Sequence, residues 1–330
     1  GWHIIDFIEG YLRVPGGDGT GSPLRLTDEQ IRFIVRAYRI NPVSGRMVYR
    51  RAVLRRAKGW GKSPLVGGLG LAHLCGPTVF DGWDASGEPV VIAHPSPWVQ
   101  VAATAEDQTD NTWAPIMAML AESPAVDDLG LDVGLTRIFL KGRPGRMEPV
   151  TARAPSKEGT PVTFACMDET HLWTPESGGT KLAATLRRNI AKTNGFSVET
   201  TNAHRPGAGS VAEASFEAAS RESAGVFYDS LEGPQLDDFD DREQLLAALK
   251  VAYGDARWVD LERIADEATD PATDPADARR FYLNQLVAWE EDLVELVLWD
   301  ALADRSSVLK HGDTITLGFD GSDGGDSTCL

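Results

Sequence analysis

The stretch RRAKGWGKSPLVGG, from Arg55 to Gly68, joins a strand-like segment to a helix-like one. Two glycines, a lysine and a serine are collected at this junction, and basic residues precede them. Backbone N–H groups at the start of a helix bind phosphate oxygens, and glycines let the backbone approach those oxygens closely. The stretch therefore predicts a phosphate-binding loop, against the alternative of a Gly-rich turn before an ordinary helix.

Residues 56–63, R-A-K-G-W-G-K-S, depart from the usual phosphate-loop pattern G-x-x-x-x-G-K-[ST] at one point, because Arg56 replaces the first glycine. Lys62 is predicted to reach the β- and γ-phosphates of a nucleotide, and Ser63 is predicted to bind Mg²⁺. Lys58 adds a second positive charge. We predict that ATP binds at Lys58, Gly59, Trp60, Gly61, Lys62 and Ser63.

A pair of acids follows a buried strand further along the chain. The segment VTFACMDETHLW places Asp168 and Glu169 directly after apolar residues, at the carboxyl end of a strand, where open parallel sheets bind ligands. Asp168 is predicted to hold Mg²⁺, and Glu169 to orient and deprotonate an attacking water. The alternative is a pair of exposed acids at a strand end. For His171 we predict packing.

Two further segments point to the same site. SVETTNAHRPG ends the next predicted strand with Thr201 and Asn202, small polar residues that can distinguish ATP from ADP; a turn-forming pair is an equally good interpretation. Gln30, in LTDEQIRFI, carries an amide that can pair with both N6 and N7 of adenine. Thr27 and Gln30 also fit a helix capping box.

Strand-like and helix-like segments alternate up to about residue 228, which predicts a mostly parallel sheet covered by helices. The following residues are acidic and turn-rich with helices between them, and DTITLGFDGSDGGDSTCL returns to strand character. We expect a nucleotide-binding domain at 1–228, a helical region at 229–310 and the beginning of another domain at 311–330. The first residue is glycine, so the chain is interpreted as a piece of a longer protein.

Composition narrows the function classes. The 330 residues are 42% hydrophobic and 25% charged, as in a globular protein with a large core. No apolar segment approaches the roughly 20 residues that span a bilayer, and acids interrupt the first apolar segment, so we expect a cytoplasmic protein without a signal peptide. The three cysteines are far apart, which argues against a zinc site or a disulfide framework. The net charge of −17 means that any contact with DNA must be local, transient or assisted.

In this order, the motifs resemble those of the large terminase subunits of tailed double-stranded DNA phages. The resemblance extends over nearly the whole chain, through LTDEQIRFI, KGWGKSPL, MDETHLW, VETTNAHRPG, ARRFYLNQLV and LGFDGSD, and its most specific parts are KGWGKSPL and MDETHLW. It implies an α/β fold: a P-loop NTPase with a mostly parallel central sheet flanked by helices, a helical linker or lid region, and the first strands of a truncated RNase H-like nuclease domain.

The resemblance also implies a function. Large terminase subunits are ATP-hydrolysing motors that use ATP and Mg²⁺ to translocate viral double-stranded DNA into the procapsid. The implied partners are that DNA, the portal protein, the small terminase subunit and further copies of the chain in a ring, and the implied place is the host cytoplasm, transiently at the portal vertex. Gln30 becomes the adenine-reading glutamine, Lys58 the extra basic residue of the loop, and Thr201 and Asn202 the coupling motif.

The family carries a metal-dependent nuclease that cuts concatemeric DNA with Mg²⁺ or Mn²⁺. Asp320 matches its first metal-binding carboxylate, and Asp323 and Asp326 follow. Because the chain ends at Leu330, before the remaining nuclease strands, we expect no DNA cleavage by this chain.

Arg153 is the candidate for an arginine finger that stabilises charge on the transferring phosphoryl group, and Arg137 and Arg143 compete with it. Two other classes of protein stay open. One is a different P-loop ATPase, such as a helicase-like translocase, which predicts a second helicase-type domain. The other is a nucleotide-binding scaffold module that does not hydrolyse ATP.

Overall fold

The computed structural model describes residues 1–152, 158–221, 225–236 and 238–287, together with Gly312. The chain divides into two compact units, 1–289 and 290–330. All the helices and strands given below lie in the first unit. The predicted nuclease strands, with Asp320, fall outside the described residues.

The first unit is organised around one large sheet. Its strands are β1 (Arg51–Arg55), β2 (Pro77–Trp83), β3 (Pro89–Ala93), β4 (Trp98–Ala103), β5 (Leu131–Val133), β6 (Ile138–Leu140), β7 (Arg146–Thr151), β8 (Phe164–Met167), β9 (Phe196–Thr201) and β10 (Val226–Ser230). Eight of them form a sheet in the order β10-β1-β9-β8-β4-β7-β6-β5, and β2 pairs with β3 in a separate ribbon. The neighbours from β10 to β7 are parallel, whereas β5, β6 and β7 pair antiparallel. The prediction of a mostly parallel sheet is confirmed.

Ten α-helices accompany these strands in the described part of the chain. They are α1 (Trp2–Tyr11), α2 (Asp28–Ala37), α3 (Lys62–Cys75), α4 (Glu106–Leu120), α5 (Ala125–Asp128), α6 (Gly179–Thr193), α7 (Val211–Ser220), α8 (Arg242–Tyr253), α9 (Leu261–Ala268) and α10 (Pro275–Tyr282). A 3₁₀ turn covers Thr170–Leu172. Within the described residues, no helix has the length and apolar character needed to cross a membrane.

Side-chain alternation along the central strands divides the core into two layers. In β8, Phe164 and Cys166 pack into the larger layer with α3 and α4, and Ala165 and Met167 pack into the smaller layer with α6. On the larger side α3 approaches the sheet so closely that a Cβ added at Gly70 would lie 3.0 Å from the sulfur of Cys166. The sheet is therefore covered by helices on both faces, as a buried parallel sheet requires.

The predicted start of α2 is confirmed. The side chain of Thr27 accepts a hydrogen bond from the backbone N–H of Gln30 at 3.4 Å, and Gln30 Oε1 accepts one from the N–H of Thr27 at 3.1 Å. This reciprocal pair satisfies two donors that the first turn of a helix otherwise leaves free.

Three strands differ from the sequence predictions. The predicted strand at 46–57 is shorter, because β1 ends at Arg55 and Met47 pairs instead with Ile40 in an isolated bridge. The segment PVVIAHP is not a buried strand: β3 lies in the small ribbon, where Val90 and Ile92 are 39% and 43% exposed. No prediction covers β4, although it lies at the centre of the sheet.

Candidate functional site

The phosphate loop (residues 56–63) leads from β1 into α3 at the carboxyl edge of the sheet. Gly59 and Gly61 have φ values of 85° and 92°, a conformation that glycine adopts without steric cost. Lys62 is the first residue of α3, and Pro64 lies in the first turn, where its missing N–H removes no helical hydrogen bond. The loop therefore presents the amino end of a 14-residue helix to the edge of the sheet.

Asp168 is the centre of the site. It follows β8, is 2% exposed, and accepts hydrogen bonds from three hydroxyl groups on three different elements. Ser63 Oγ donates to its Oδ2 at 2.7 Å, Thr112 Oγ1 donates to the same oxygen at 2.6 Å, and Thr200 Oγ1 donates to Oδ1. The structure thus brings the predicted pair Ser63 and Asp168 into direct contact, and it adds two threonines.

Glu169 begins the 3₁₀ turn in a left-handed conformation, with φ 53° and ψ 46°. This conformation is uncommon outside glycine and is held by surrounding contacts; here the N–H of Glu169 donates to Asp168 Oδ1 at 3.0 Å. Burial, and then the charge of Asp168, raise the pKa of Glu169, while Lys62 and Lys58 oppose this rise. A carboxylate with a raised pKa is a better proton acceptor than an exposed glutamate.

Lys62 is folded back onto the loop. Its Nζ donates to the carbonyl oxygens of Arg56 at 3.0 Å and of Ala57 at 2.9 Å, and the residue is 7% exposed. Burial lowers the pKa of Lys62 to about 8, against the opposing attraction of Asp168 and Glu169. An ammonium group removed from water and bonded to neutral carbonyls gains when an anionic oxygen replaces them.

The other loop side chains divide between solvent and core. Lys58 is exposed, with its Nζ 5.5 Å from the centre of the Phe281 ring. Trp60 is fully buried, and the guanidinium of Arg56 lies 5.1 Å from its ring centre. Only the backbone of Trp60 is therefore available to a ligand, whereas Lys58 carries its ammonium group at the surface.

The end of β9 contacts the phosphate loop directly. The N–H of Arg56 donates to the carbonyl of Thr201 at 3.0 Å, and Asn202 Nδ2 donates to the carbonyl of Arg56 at 2.8 Å. Thr201 Oγ1 and the N–H of Asn202 each lie 3.4 Å from Nδ1 of His171. Burial, and then Lys62, lower the pKa of His171 to about 3. This neutral histidine packs as predicted, and it also connects the Glu169 turn to the end of β9.

Gln30 lies beside the loop but its amide oxygen is already used. The residue is 7% exposed, and its Oε1 belongs to the capping box; its Nε2 has no hydrogen-bond partner among the described residues. The adjacent Glu29 interacts with Arg56 and Trp60 of the loop. The start of α2 therefore flanks the site, and adenine reading by Gln30 stays a prediction.

The predicted arginine finger has no placed candidate. Arg153 lies outside the described residues. Arg137 pairs through its Nε with Glu148 Oε2 at 3.2 Å, and its side chain is 53% exposed; Arg143 is exposed. Neither is brought to Asp168 by a contact that the structure gives, so the finger stays a prediction.

Contacts from the helical region to the loop are absent from the sequence predictions. Tyr253 donates its hydroxyl to the carbonyl of Lys58 at 2.8 Å, and Trp258 Nε1 donates to the carbonyl of Gly59 at 3.0 Å. The N–H of Lys58 donates in turn to the carbonyl of Phe281 at 2.8 Å. These partners are separated by about two hundred residues along the chain and carry no motif. Thr200 was within reach of prediction, since it directly precedes Thr201; Thr112 had no signal.

The donor set at this point suits magnesium. Hydroxyl and carboxylate oxygens from Ser63 and Asp168 are ligands that Mg²⁺ prefers, and among the described residues no group of three or more His, Cys, Asp or Glu could hold a metal by itself. A metal bound through one carboxylate takes its other ligands from phosphates and water, as Mg²⁺ does at nucleotide sites. The residues therefore fit a magnesium–nucleotide complex.

Comparison with known proteins extends these observations. No protein-family model matches the chain. The chain is 31% identical over 385 aligned residues to the Gene 13 protein of Mycobacterium phage L5, covering all of this chain and 64% of that protein. The crystal structure of the HK97 bacteriophage large terminase matches with a TM-score of 0.66 at 20% identity, over 86% of this chain and 55% of that chain. The chain has the fold of a large terminase.

A shorter match agrees with this fold. Over 77 residues the chain is 42% identical to the large terminase subunit of Enterobacteria phage HK97, which covers 23% of this chain and 14% of that protein. The resemblance to large terminase subunits that the motif order predicts is confirmed, together with the α/β architecture. The chain spans 64% of the length of the Gene 13 protein, so the domains at 1–228, 229–310 and 311–330 remain predictions.

Proposed function

We propose that this chain hydrolyses ATP and uses the energy to drive viral double-stranded DNA into a procapsid. One observation carries the proposal: Lys62, Ser63, Asp168 and Glu169 converge where the phosphate loop enters α3. Transfer of a phosphoryl group to water requires phosphate-binding amides, a cation, a magnesium site and a base that orients the water. This convergence supplies each of them within a large terminase fold.

Each residue has a distinct role in the proposed reaction. Ser63 and Asp168 would hold Mg²⁺, which when bound neutralises charge on the phosphate oxygens. Lys62 would exchange the carbonyls of Arg56 and Ala57 for phosphate oxygens, and the amides of the loop, from Lys58 to Gly61, would cradle them. Glu169 would orient the attacking water and accept its proton, a role that its raised pKa favours.

Thr201 and Asn202 would couple the nucleotide state to movement. Both contact the backbone of Arg56 in the loop, and both contact His171, two residues after Glu169. A change at the γ-phosphate would therefore reach the end of β9 through hydrogen bonds alone. Gln30 would select adenine from the flank of the site.

The proposal for the complete protein goes further. Its partners would be double-stranded DNA, the portal protein, the small terminase subunit and further copies of itself in a ring, in the host cytoplasm and transiently at the portal vertex. Arg153 would act as the arginine finger. A nuclease domain that begins near residue 311 would use Asp320 to bind Mg²⁺ or Mn²⁺ and cut concatemeric DNA.

The test is steady-state ATP hydrolysis beside ADP binding. Glu169→Gln should lower kcat by about 10²- to 10⁴-fold, the usual contribution of a general base, and leave ADP affinity unchanged. Lys62→Ala should lose both activity and affinity. Glu176→Gln, at an exposed position in the same loop region, is the matched control and should behave as the wild type.

The concentration dependence separates the alternatives. A rate that rises faster than linearly with protein concentration would support completion of the site by a neighbouring copy. Wild-type chain that binds Mg-ATP but hydrolyses none at any concentration, or a Glu169→Gln variant of undiminished activity, would contradict the proposal and favour the scaffold or another ATPase.

A further inference from the structure

Charge is unevenly distributed along this acidic chain. Residues 30–80 contain ten of the 32 lysines and arginines and none of the 49 aspartates and glutamates. Lys58 and Lys62 of this set belong to the phosphate loop, and Arg55 and Arg56 are buried next to it. The phosphate loop therefore accounts for only part of this basic segment.

Five of the remaining arginines form a surface that we call the basic stripe: Arg32, Arg36, Arg39, Arg46 and Arg50, all exposed. The first three are spaced i, i+4 and i+7 along α2 and its end, so they lie on one face. The N–H of Val48 donates to the carbonyl of Arg39 at 2.8 Å, and the N–H of Asn41 donates to that of Arg46 at the same distance. These bonds place the helix end beside the segment that carries Arg46.

The stripe ends in a pocket of about 950 Å³ whose lining includes Arg46, Arg50, Arg51 and Arg187. Arg51 begins β1 and pairs with Ser197 in β9, so the pocket lies at the amino ends of the strands, away from the nucleotide edge. Buried Glu199 accepts hydrogen bonds from Arg51 at 3.4 Å and Arg187 at 2.8 Å. The lining has four arginines and no carboxylate.

The arginines of the stripe are not neutralised within the chain. Among the described residues none of the five takes part in an ion pair, whereas exposed arginines elsewhere, such as Arg188 and Arg242, pair with acids. In a chain of net charge −17, such a surface is where a polyanion meets the least repulsion.

Phosphates fit this surface better than a second protein does. A stable protein interface buries about 800 Å² on each side around an apolar and aromatic centre. Along the stripe the large apolar side chains that are clearly exposed are Val43 and Val48. Arginine, in contrast, donates two parallel hydrogen bonds to a phosphate.

We propose that the basic stripe binds the phosphate backbone of double-stranded DNA. The choice of DNA rests on the proposed function; the phosphate chemistry rests on the arginines alone. Along α2, Arg32, Arg36 and Arg39 are spaced by roughly 6 and 4.5 Å, within the reach of long side chains to successive phosphates, which rise about 3.4 Å apart along one strand. Because the stripe leads away from the nucleotide edge, the two anions would not compete.

The experiment compares two triple variants of equal charge. The stripe variant carries Arg36→Gln, Arg39→Gln and Arg46→Gln; the control carries Arg25→Gln, Arg221→Gln and Arg263→Gln, at exposed positions elsewhere. Affinity for a short DNA duplex is measured by fluorescence anisotropy between about 50 and 200 mM salt. Each lost phosphate contact lowers the slope of log K against log salt by about 0.9, so the stripe variant should lose roughly 40-fold less affinity over this range than the wild type.

Three outcomes would overturn the proposal: a stripe variant with the slope of the wild type, a control variant with the same loss as the stripe variant, or wild-type chain that binds no duplex at low salt. Altered self-association of the stripe variant in sedimentation velocity, with DNA binding intact, would make the stripe a contact between copies instead. Basal ATP hydrolysis without DNA is recorded in parallel, so a failure of the proposed ATPase stays distinguishable. If the triple variant misfolds by circular dichroism, the single variants Arg36→Gln and Arg46→Gln test the same slope.

Discussion

Asp168 accepts hydrogen bonds from the hydroxyls of Ser63, Thr112 and Thr200, which lie on three different elements. In the proposed reaction Ser63 would bind the metal, whereas the two threonines would orient the carboxylate that faces it. A hydrogen bond to a charged group contributes about 1.5 kcal/mol, equivalent to roughly tenfold in an equilibrium constant.

Thr112→Val should therefore raise the Mg²⁺ concentration for half-maximal ATP hydrolysis roughly tenfold, because it removes one donor to Asp168 at nearly constant volume. The matched control is Thr109→Val, one turn earlier in α4, whose hydroxyl bonds only to the carbonyl of Ala105. Magnesium titrations of both variants decide the matter. Equal Mg²⁺ requirements in the two variants would mean that Thr112 does not position Asp168.

Lys62 gives a second prediction, in proton uptake. Its pKa is about 8 in the chain, and a bound phosphate stabilises the charged form and raises that pKa. At pH 8.5 nucleotide binding should take up a proton at Lys62, whereas at pH 6.5 the ammonium is already protonated and takes up none. Affinity should accordingly fall as pH rises above 8.

Calorimetry of ADP binding in buffers of different ionisation enthalpy measures this uptake. Lys62→Arg keeps the positive charge but does not titrate in this range, so the difference between the two proteins isolates Lys62 from the nucleotide itself. The same uptake in both proteins would place the titrating group elsewhere.

At the scale of elements, the phosphate loop is held from two sides. The end of β9 bonds to Arg56, and the helical region bonds to Lys58 and Gly59 through Tyr253 and Trp258. The indole of Trp258 also fills the space beside Gly61, where an added Cβ would lie 3.0 Å from it. The conformation of the loop therefore depends on residues that follow it by about two hundred positions.

Trp258→Phe should weaken ADP binding by roughly fivefold, about the net effect of losing one neutral hydrogen bond, because the carbonyl of Gly59 loses its donor. Trp83→Phe changes a comparably exposed tryptophan in the β2–β3 ribbon and should leave ADP affinity as it is. Isothermal titration of both variants provides the comparison. Unchanged affinity in Trp258→Phe would show that the helical region does not preorganise the loop.

These elements also indicate what a sequence can reveal. Phosphate loops and strand-end acids are local patterns, so Ser63 and Asp168 were predictable, as was the capping box at Thr27. The central strand β4 escaped prediction because a buried parallel strand lacks the alternation of an exposed one. Tyr253 and Trp258 escaped it because tertiary contacts of single side chains leave no periodic signal.

For the whole molecule, charge sets how copies meet. Each chain carries a net charge of −17, so bringing copies together in the proposed ring costs repulsive energy that salt screens; the Debye length falls from about 30 Å at 0.01 M to about 8 Å at 0.15 M. The protein concentration at which ATP hydrolysis begins to rise faster than linearly should therefore decrease as salt increases. ATPase rates across protein concentrations at two ionic strengths measure this, with Mg²⁺ held constant.

DNA binding should follow the opposite trend, since phosphate contacts weaken as salt rises. The stripe variant separates the two effects: its net charge is three units more negative, so its onset of assembly should move to higher protein concentration, while its affinity for DNA becomes less sensitive to salt. If salt instead delays assembly of the wild type, the copies must attract one another through opposite charges. The unpaired arginines of the basic stripe and the acidic helices α8 and α9 would then be the surfaces in contact.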